Sequence, residues 1–159
     1  MLKKITHAFA LLALGFTLAT PVAVAAPISG KSNHNVTTQM LDDLEVKYKV
    51  EDNGDIVFIV DGDCLVVIDA DDEKNIFSII AYKKLGVSAD NRAKALVIIN
   101  KLNEDYGLKF WLDEEGDLVS QVVFDTDDMV ISKKCAAASL RRILAGLDIA
   151  LEELSSLAK

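Results

Sequence analysis

The chain has 159 residues, with 17 Lys and Arg against 25 Asp and Glu, and a net charge of −8 at pH 7. This length favours one folded domain. A negative surface repels phosphate backbones and anionic headgroups, which argues against nucleic acid and membranes as partners.

The first 25 residues have the layout of a secretory signal peptide. A positive start, MLKK, precedes the apolar run AFALLALGFTLA, and small residues follow in AVAAP. The run is too short to span a bilayer as a mature helix. We predict cleavage after Ala25, with Ala23 and Ala25 at the recognition positions, because cleavage after Ala26 would leave Pro27 beside the scissile bond. The alternative is an uncleaved anchor.

Loss of this leader gives a periplasmic or secreted product. Lys3 and Lys4 leave with it, so Lys and Arg fall from 17 to 15 against 25 acidic residues, and the net charge moves from −8 to −10. Residues 26–35 are small and polar and predict a flexible mature N-terminus. Residues 36–159 then form a single domain, and no later apolar run approaches the length of a membrane span.

The two cysteines, Cys64 in CLVVI and Cys135 in CAAAS, both lie in the mature part. Export places them in an oxidising compartment, where a disulfide persists. A bond between them would close a long loop and contribute about 4 kcal/mol in the chain-entropy model. The alternative is two separate thiols that pack as small apolar side chains.

The predicted elements begin with a short helix and continue as a meander. Val36, Met40, Leu41 and Leu44 recur at helical spacing, with Asn35 or Thr37 as N-cap. Four runs rich in Val, Ile, Phe and Tyr follow, bounded by Gly, Asp and Asn, which is typical of strands with short turns. These strands are predicted around residues 48–50, 56–60, 64–68 and 76–82.

After the fourth strand, the spacing of apolar residues changes to the three- and four-residue steps of a helix. Ser88 is a plausible N-cap and Gly107 a C-terminal glycine for residues 89–106. Two strands, 108–112 and 118–124, form a hairpin, and a long helix capped by Ser132 ends the chain. The order α-β-β-β-β-α-β-β-α predicts an α+β fold with an antiparallel sheet of five to six strands. Because the middle strands are apolar at nearly every position, a sheet face left without helices would meet a partner.

Two acidic loops repeat one pattern. KYKVEDNGDIV, from Lys47, and KFWLDEEGDLV, from Lys109, share the Gly-Asp pairs Gly54–Asp55 and Gly116–Asp117. Neither loop has the ligand spacing of an EF-hand calcium site. We predict matching hairpin turns in which the glycine takes the left-handed conformation.

On the second predicted helix, Ala93, Leu96, Ile99, Leu102 and Tyr106 form an apolar stripe, and Asn100 and Asn103 lie within it. Buried amides need partners. We predict that Asn100 and Asn103 bind backbone groups of the sheet or of a loop, and the alternative is a ligand-binding role.

The sequence offers no catalytic set, cofactor site or metal site. The mature chain keeps one histidine, His34, and has no zinc spacing, no glycine-rich phosphate loop and no G-x-S-x-G motif. We therefore predict a protein that is not an enzyme.

The order of these motifs resembles the YbjN domain family. The segments that carry the resemblance are Asp52–Asp55, CLVVID, IINKLN at Ile98–Asn103, LDEEGDLV at Leu112–Val119, and the final helix to Leu157. The resemblance implies a fold similar to type III secretion chaperones and a role loosely described as sensory transduction regulation. It also implies an unidentified protein partner or a homodimer. The alternative is a sensor of small ligands or metals that uses the acidic turns.

Overall fold

The computed structural model describes residues 32–71, 75–127 and 129–158. The predicted signal peptide and residues 26–31 lie outside these ranges. The helices are α1 (Asn33–Asp43), α2 (Ala89–Tyr106) and α3 (Lys133–Leu154), and a 3₁₀ turn, Ser155–Leu157, follows α3. The strands are β1 (Lys49–Val50), β2 (Ile56–Val60), β3 (Cys64–Asp69), β4 (Ile76–Lys83), β5 (Lys109–Leu112) and β6 (Leu118–Asp125).

The strands form one six-stranded antiparallel sheet in the order β1-β2-β3-β4-β6-β5. β6 pairs with β4 along its whole length, and β5 becomes an edge strand beside β6. The predicted α+β class and element order are confirmed. In the described ranges, no helix is both long and apolar enough to cross a membrane.

Alternation along the strands separates two faces of the sheet. One residue in two points towards the helices, which we call the inner face, and the core fills the space between. The largest fully buried side chains of this core include Phe77, Ile56, Ile68 and Ile79. α3 packs on β4 and β6, α2 packs on β5, and α1 packs on α3. Each large side chain buried here contributes about 1.5–3 kcal/mol of transfer free energy.

α1 begins earlier than the sequence pattern predicts. Its N-cap is Ser32, whose Oγ accepts a hydrogen bond of 3.0 Å from the Asn35 amide. Asn33 is buried, and its Oδ1 accepts a 2.8 Å bond from the amide of Ile131 in the segment before α3. Asn33–Asn35 therefore belong to the folded domain and not to a flexible segment.

The buried side of α2 also differs from the prediction. Ala95, Ile99 and Leu102 are buried, whereas Leu96 is 41% exposed and Tyr106 is 39% exposed. α2 carries apolar residues on more than one side, so its hydrophobic periodicity alone does not select the face that meets the sheet.

Candidate functional site

The face of the sheet opposite the helices, which we call the outer face, is apolar. Strand register aligns five of its residues in a first row that crosses five strands: Ile59, Leu65, Tyr82, Val119 and Trp111. A second row contains Val57, Val67, Ile80 and Gln121, with Lys49 and Lys109 at its two ends. The outer face thus presents two adjacent, mainly apolar rows.

Within the described ranges, the outer face is more exposed to solvent than the inner face. Ile59 is 44% exposed and Leu65 is 38% exposed, and farther along the strands Val123 reaches 51%. The other apolar residues of the two rows are half-buried, except Val119, which lies between Tyr82 and Trp111 and is buried at 1% exposure. Large contiguous apolar patches are uncommon on monomeric soluble proteins and mark interaction surfaces.

Charge surrounds the two rows unevenly. Glu51, Asp55 and Asp69 extend the outer face on the β1–β3 side by strand alternation. Glu51 Oε2 lies 2.8 Å from Lys49 Nζ, which fixes both side chains on one face. On the opposite edge, Lys109 Nζ lies 4.9 Å from the centre of the Trp111 ring, a cation–π contact. Both edges therefore carry a lysine at the end of the second row, and by the same alternation Asp125 places a carboxylate on the β6 side of the outer face.

Both acidic loops are β-hairpin turns with the same backbone hydrogen bonds. In the first, the Glu51 amide donates to the Asp55 carbonyl over 2.8 Å, and the Gly54 amide donates to the Glu51 carbonyl over 2.9 Å. In the second, the Asp113 amide donates to the Asp117 carbonyl over 3.0 Å, and the Gly116 amide donates to the Asp113 carbonyl over 3.3 Å. Gly54 and Gly116 have φ values of 89° and 84°, as the left-handed position requires.

The second turn has a structural role that the first lacks. Asp117 Oδ1 accepts from the amides of Leu85 and Gly86 over 2.8 and 2.9 Å. A Cβ on Gly116 would lie 2.3 Å from the Val87 carbonyl oxygen, whereas a Cβ on Gly54 would meet nothing within 4 Å. We call the contact of this turn with Leu85–Val87 the hairpin clasp.

The acidic turns form no metal cluster. Across residues 32–71, 75–127 and 129–158, no group of three or more His, Cys, Asp or Glu is placed to hold a metal ion. Asp55 of the first turn accepts a 2.8 Å bond from the side chain of Asn53. Its carboxylate therefore serves the turn itself.

The two asparagines of α2 have different surroundings. Asn103 Nδ2 donates to the Phe110 carbonyl over 3.1 Å, and Asn103 Oδ1 accepts from the Phe110 amide over 2.6 Å. Asn103 thus ties α2 to the edge strand β5, as the backbone-binding prediction describes. Asn100 is exposed, so the prediction of a buried amide there is wrong. The rotation of the buried face of α2 explains the difference.

Cys64 and Cys135 are two free thiols, the first buried and the second exposed. Burial raises the pKa of the Cys64 thiol to about 11. The positive charge of Lys83 lowers this pKa by a smaller amount, and the negative charge of Asp148 on α3 adds to the increase. Cys135 lies thirteen residues before Asp148 on the same helix, about 20 Å along its axis. The predicted alternative of two separate thiols therefore describes this fold, and the predicted Cys64–Cys135 disulfide is not formed.

Neither a family model nor a curated protein matches the sequence. Solved structures do match the fold. YbjN from E. coli has a TM-score of 0.60 and 15% identity, over 77% of this chain and 90% of that one. A chain of the HopA1–SchA chaperone–effector complex has a TM-score of 0.56 and 17% identity, over 83% of this chain and 99% of that one. The Yersinia pestis type III secretion chaperone SycH, in complex with a fragment of YscM2, has a TM-score of 0.54 and 14% identity. This match covers 76% of this chain and 98% of that one.

These matches define the class of the fold. The chain is an α+β protein with the fold of type III secretion chaperones. Within that class it has a YbjN-like domain, as the order of the sequence motifs predicts. The sequence pattern indicated an apolar sheet face, but it did not select the ten or so residues of the outer face, because pairing register across distant strands is absent from local periodicity.

Proposed function

We propose that the chain is an exported, non-enzymatic module that binds another protein through the outer face of its sheet. Export follows from the signal-peptide layout of residues 1–25, with cleavage near Ala25 and a periplasmic or secreted product. The single observation that carries the binding role is the uncovered pair of apolar rows, since exposed apolar patches of this kind mark protein contacts.

The structural neighbours support the proposal. SchA is in a chaperone–effector complex and SycH is in complex with a YscM2 fragment, so this fold serves protein contact in those proteins. From the resemblance to the YbjN domain family, we further propose that this binding serves regulation in a sensory pathway. The partner is an unidentified protein or a second copy of the chain.

A capture experiment tests the outer face directly. The full-length protein is expressed in its native cells with a C-terminal tag, and the wild type is compared with Leu65→Lys on the outer face. Val97→Lys is the matched control, because Val97 is 70% exposed on α2, outside the outer face. A partner retained by wild type and by Val97→Lys, and lost from Leu65→Lys, supports the proposal. Equal retention by all three proteins contradicts it.

The location is tested separately by fractionation. We expect the protein outside the cytoplasm, with a mature N-terminus at Ala26 by mass spectrometry. An intact Met1 on a cytoplasmic protein would refute export. Sensing of small ligands or metals remains the alternative, and calcium titration by calorimetry would favour it if calcium bound more tightly than about 1 mM.

A further inference from the structure

We propose that α2 closes the β5 edge of the sheet, because two of its side chains occupy the hydrogen-bonding positions that a further strand would take. These side chains belong to Asn103 and Arg92. A strand from another protein, or from a second copy of this chain, therefore cannot pair with β5. The outer face, which we propose for protein binding, is a different surface, so this inference does not depend on that proposal.

The strand register shows which backbone groups of β5 point away from β6. The Asp113 amide donates to the Asp117 carbonyl over 3.0 Å where the hairpin turns. Hydrogen-bonded and non-hydrogen-bonded positions alternate along an antiparallel pair, so Trp111, two residues before Asp113, is also a position bonded to β6. Phe110 and Leu112 occupy the alternate positions. Their N–H and C=O groups therefore point to the free edge of the sheet.

Side chains of α2 supply partners for these outward groups. Asn103 Oδ1 accepts from the Phe110 amide over 2.6 Å, and Asn103 Nδ2 donates to the Phe110 carbonyl over 3.1 Å. Arg92 Nη2 donates to the carbonyls of Leu112 and Asp113 over 3.1 and 2.7 Å. The two α2 residues are eleven positions apart, about three helical turns, and so lie on the same side of the helix. One side of α2 thus replaces the neighbouring strand that β5 lacks.

Without these side chains, the β5 edge would be complementary to itself. Two copies of β5 can be placed antiparallel with Trp111 of one opposite Trp111 of the other. Phe110 then faces Leu112, so the outward backbone groups of the two strands meet as a hydrogen-bonded pair. Lys109 faces Asp113, and opposite charges at cross-strand positions are favourable. β5 is also rich in aromatic and apolar residues, and a free edge of this kind is a template for pairing with other chains.

The opposite edge of the sheet is protected in another way. β1 has only two residues, Lys49 and Val50. Lys49 Nζ lies 2.8 Å from a carboxylate oxygen of Glu51, and short edge strands with charged side chains resist pairing. β5 has four residues, and its outward-bonding residues Phe110 and Leu112 are apolar and buried. Because these two positions carry no charge, hydrogen bonds from α2 protect the edge instead.

Sedimentation velocity tests the inference on the double variant Arg92→Ala/Asn103→Ala. The matched control is Asn100→Ala/Lys101→Ala, which also removes one amide and one cation from α2, but at exposed positions. We expect the control to sediment as the wild type does. The double variant should remain folded by circular dichroism and form larger species whose share rises with concentration. A folded double variant that sediments as the wild type does, up to the millimolar range, would overturn the inference.

The single variant Asn103→Ala keeps the test decisive if the double variant does not fold. It frees both backbone groups of Phe110 while Arg92 stays in place. We expect the same larger species at higher concentration than in the double variant. Sedimentation of folded Asn103→Ala like the wild type at every concentration would also overturn the closed edge.

Two further substitutions locate the association of the double variant. Trp111→Lys puts like charges opposite each other at the centre of the β5 pairing, which is unfavourable, so the larger species should disappear. Leu65→Lys, on β3 in the outer face, should leave them unchanged. Loss of the larger species with Leu65→Lys, or their persistence with Trp111→Lys, would overturn the closed edge. The capture experiment decides the binding function separately, because it compares proteins in which Arg92 and Asn103 are intact.

Discussion

At the scale of single residues, two asparagines of α2 illustrate how position decides the role of one side chain. The side chain of Asn103 forms hydrogen bonds with both the carbonyl and the amide of Phe110, as the backbone of a neighbouring strand would. Asn100 has the same chemistry one turn earlier but faces solvent. Sequence periodicity identified both as candidates for backbone binding, and only packing against β5 separates them.

Replacing Asn103 by Leu should lower the free energy of unfolding by about 2 kcal/mol. The amide and carbonyl of Phe110 would lose their partners, and an unsatisfied buried group costs about 1–3 kcal/mol. Asn100→Leu is the matched control, with an expected change within about 0.5 kcal/mol. Urea denaturation of both variants measures the difference, and equal changes would show that the Asn103 bonds do not hold α2 to β5.

Cys64 gives a prediction that depends on pH. Burial raises the pKa of its thiol from 9.0 to about 11 in the folded state. The folded protein therefore keeps a proton that the unfolded chain releases, so stability falls as the pH rises from about 9 to about 11. Replacing Cys64 by Ala should remove this part of the pH dependence, even if the smaller side chain lowers stability at every pH.

The measurement is a set of urea denaturation curves at pH 8 to 11 for wild type and Cys64→Ala. Other groups titrate in the same window, so the informative quantity is the difference between the two slopes. Parallel slopes would mean that the Cys64 thiol is not shielded from solvent. A maleimide should label Cys135 in the folded protein and should reach Cys64 only after unfolding.

At the scale of elements, the two Gly-Asp hairpins are the same turn in different environments. The sequence repeat was enough to predict the turn, because a left-handed glycine and a short loop are local requirements. It could not predict the hairpin clasp, because Leu85–Val87 lie in a loop more than twenty residues before Gly116. The start of α1 depends in the same way on a distant contact, between Asn33 and Ile131.

Removing the Asp117 carboxylate should loosen the hairpin clasp. In Asp117→Ala, the amides of Leu85 and Gly86 lose their acceptor, which we expect to cost about 2 kcal/mol for partly buried bonds to a charged group. Asp55→Ala is the matched control at the equivalent position of the first turn, where we expect a change below about 1 kcal/mol. Hydrogen exchange should show faster exchange at Leu85 and Gly86 in Asp117→Ala only. Unchanged protection there would contradict the clasp.

At the scale of the whole molecule, the sequence predicted the class and order of the fold because the longer elements show their own period and turn residues mark the ends of the short strands β1 and β5. It also predicted that an uncovered sheet face would be apolar. The placement of all three helices on one face is a tertiary result, set by the packing of α3 on β4 and β6 and of α2 on β5. The sequence pattern of these apolar strands is typical of strands buried on both sides. Because the helices lie on one face only, the other face of these strands is a surface.

Added salt should strengthen binding of a second copy of the chain, which is one of the two partners proposed for the outer face. Each copy carries a net charge of −10 after the proposed loss of residues 1–25, so two copies repel at long range, while the centre of the outer face contributes no charge. Salt shortens the screening length from about 30 Å at 0.01 M to about 10 Å at 0.1 M and leaves apolar burial intact. We therefore expect the dimer dissociation constant to fall severalfold between 0.01 and 0.5 M NaCl, as measured by sedimentation equilibrium. If the constant rises instead, attraction between charged borders such as Lys109 and Glu51 dominates, and the apolar rows are not the main source of affinity.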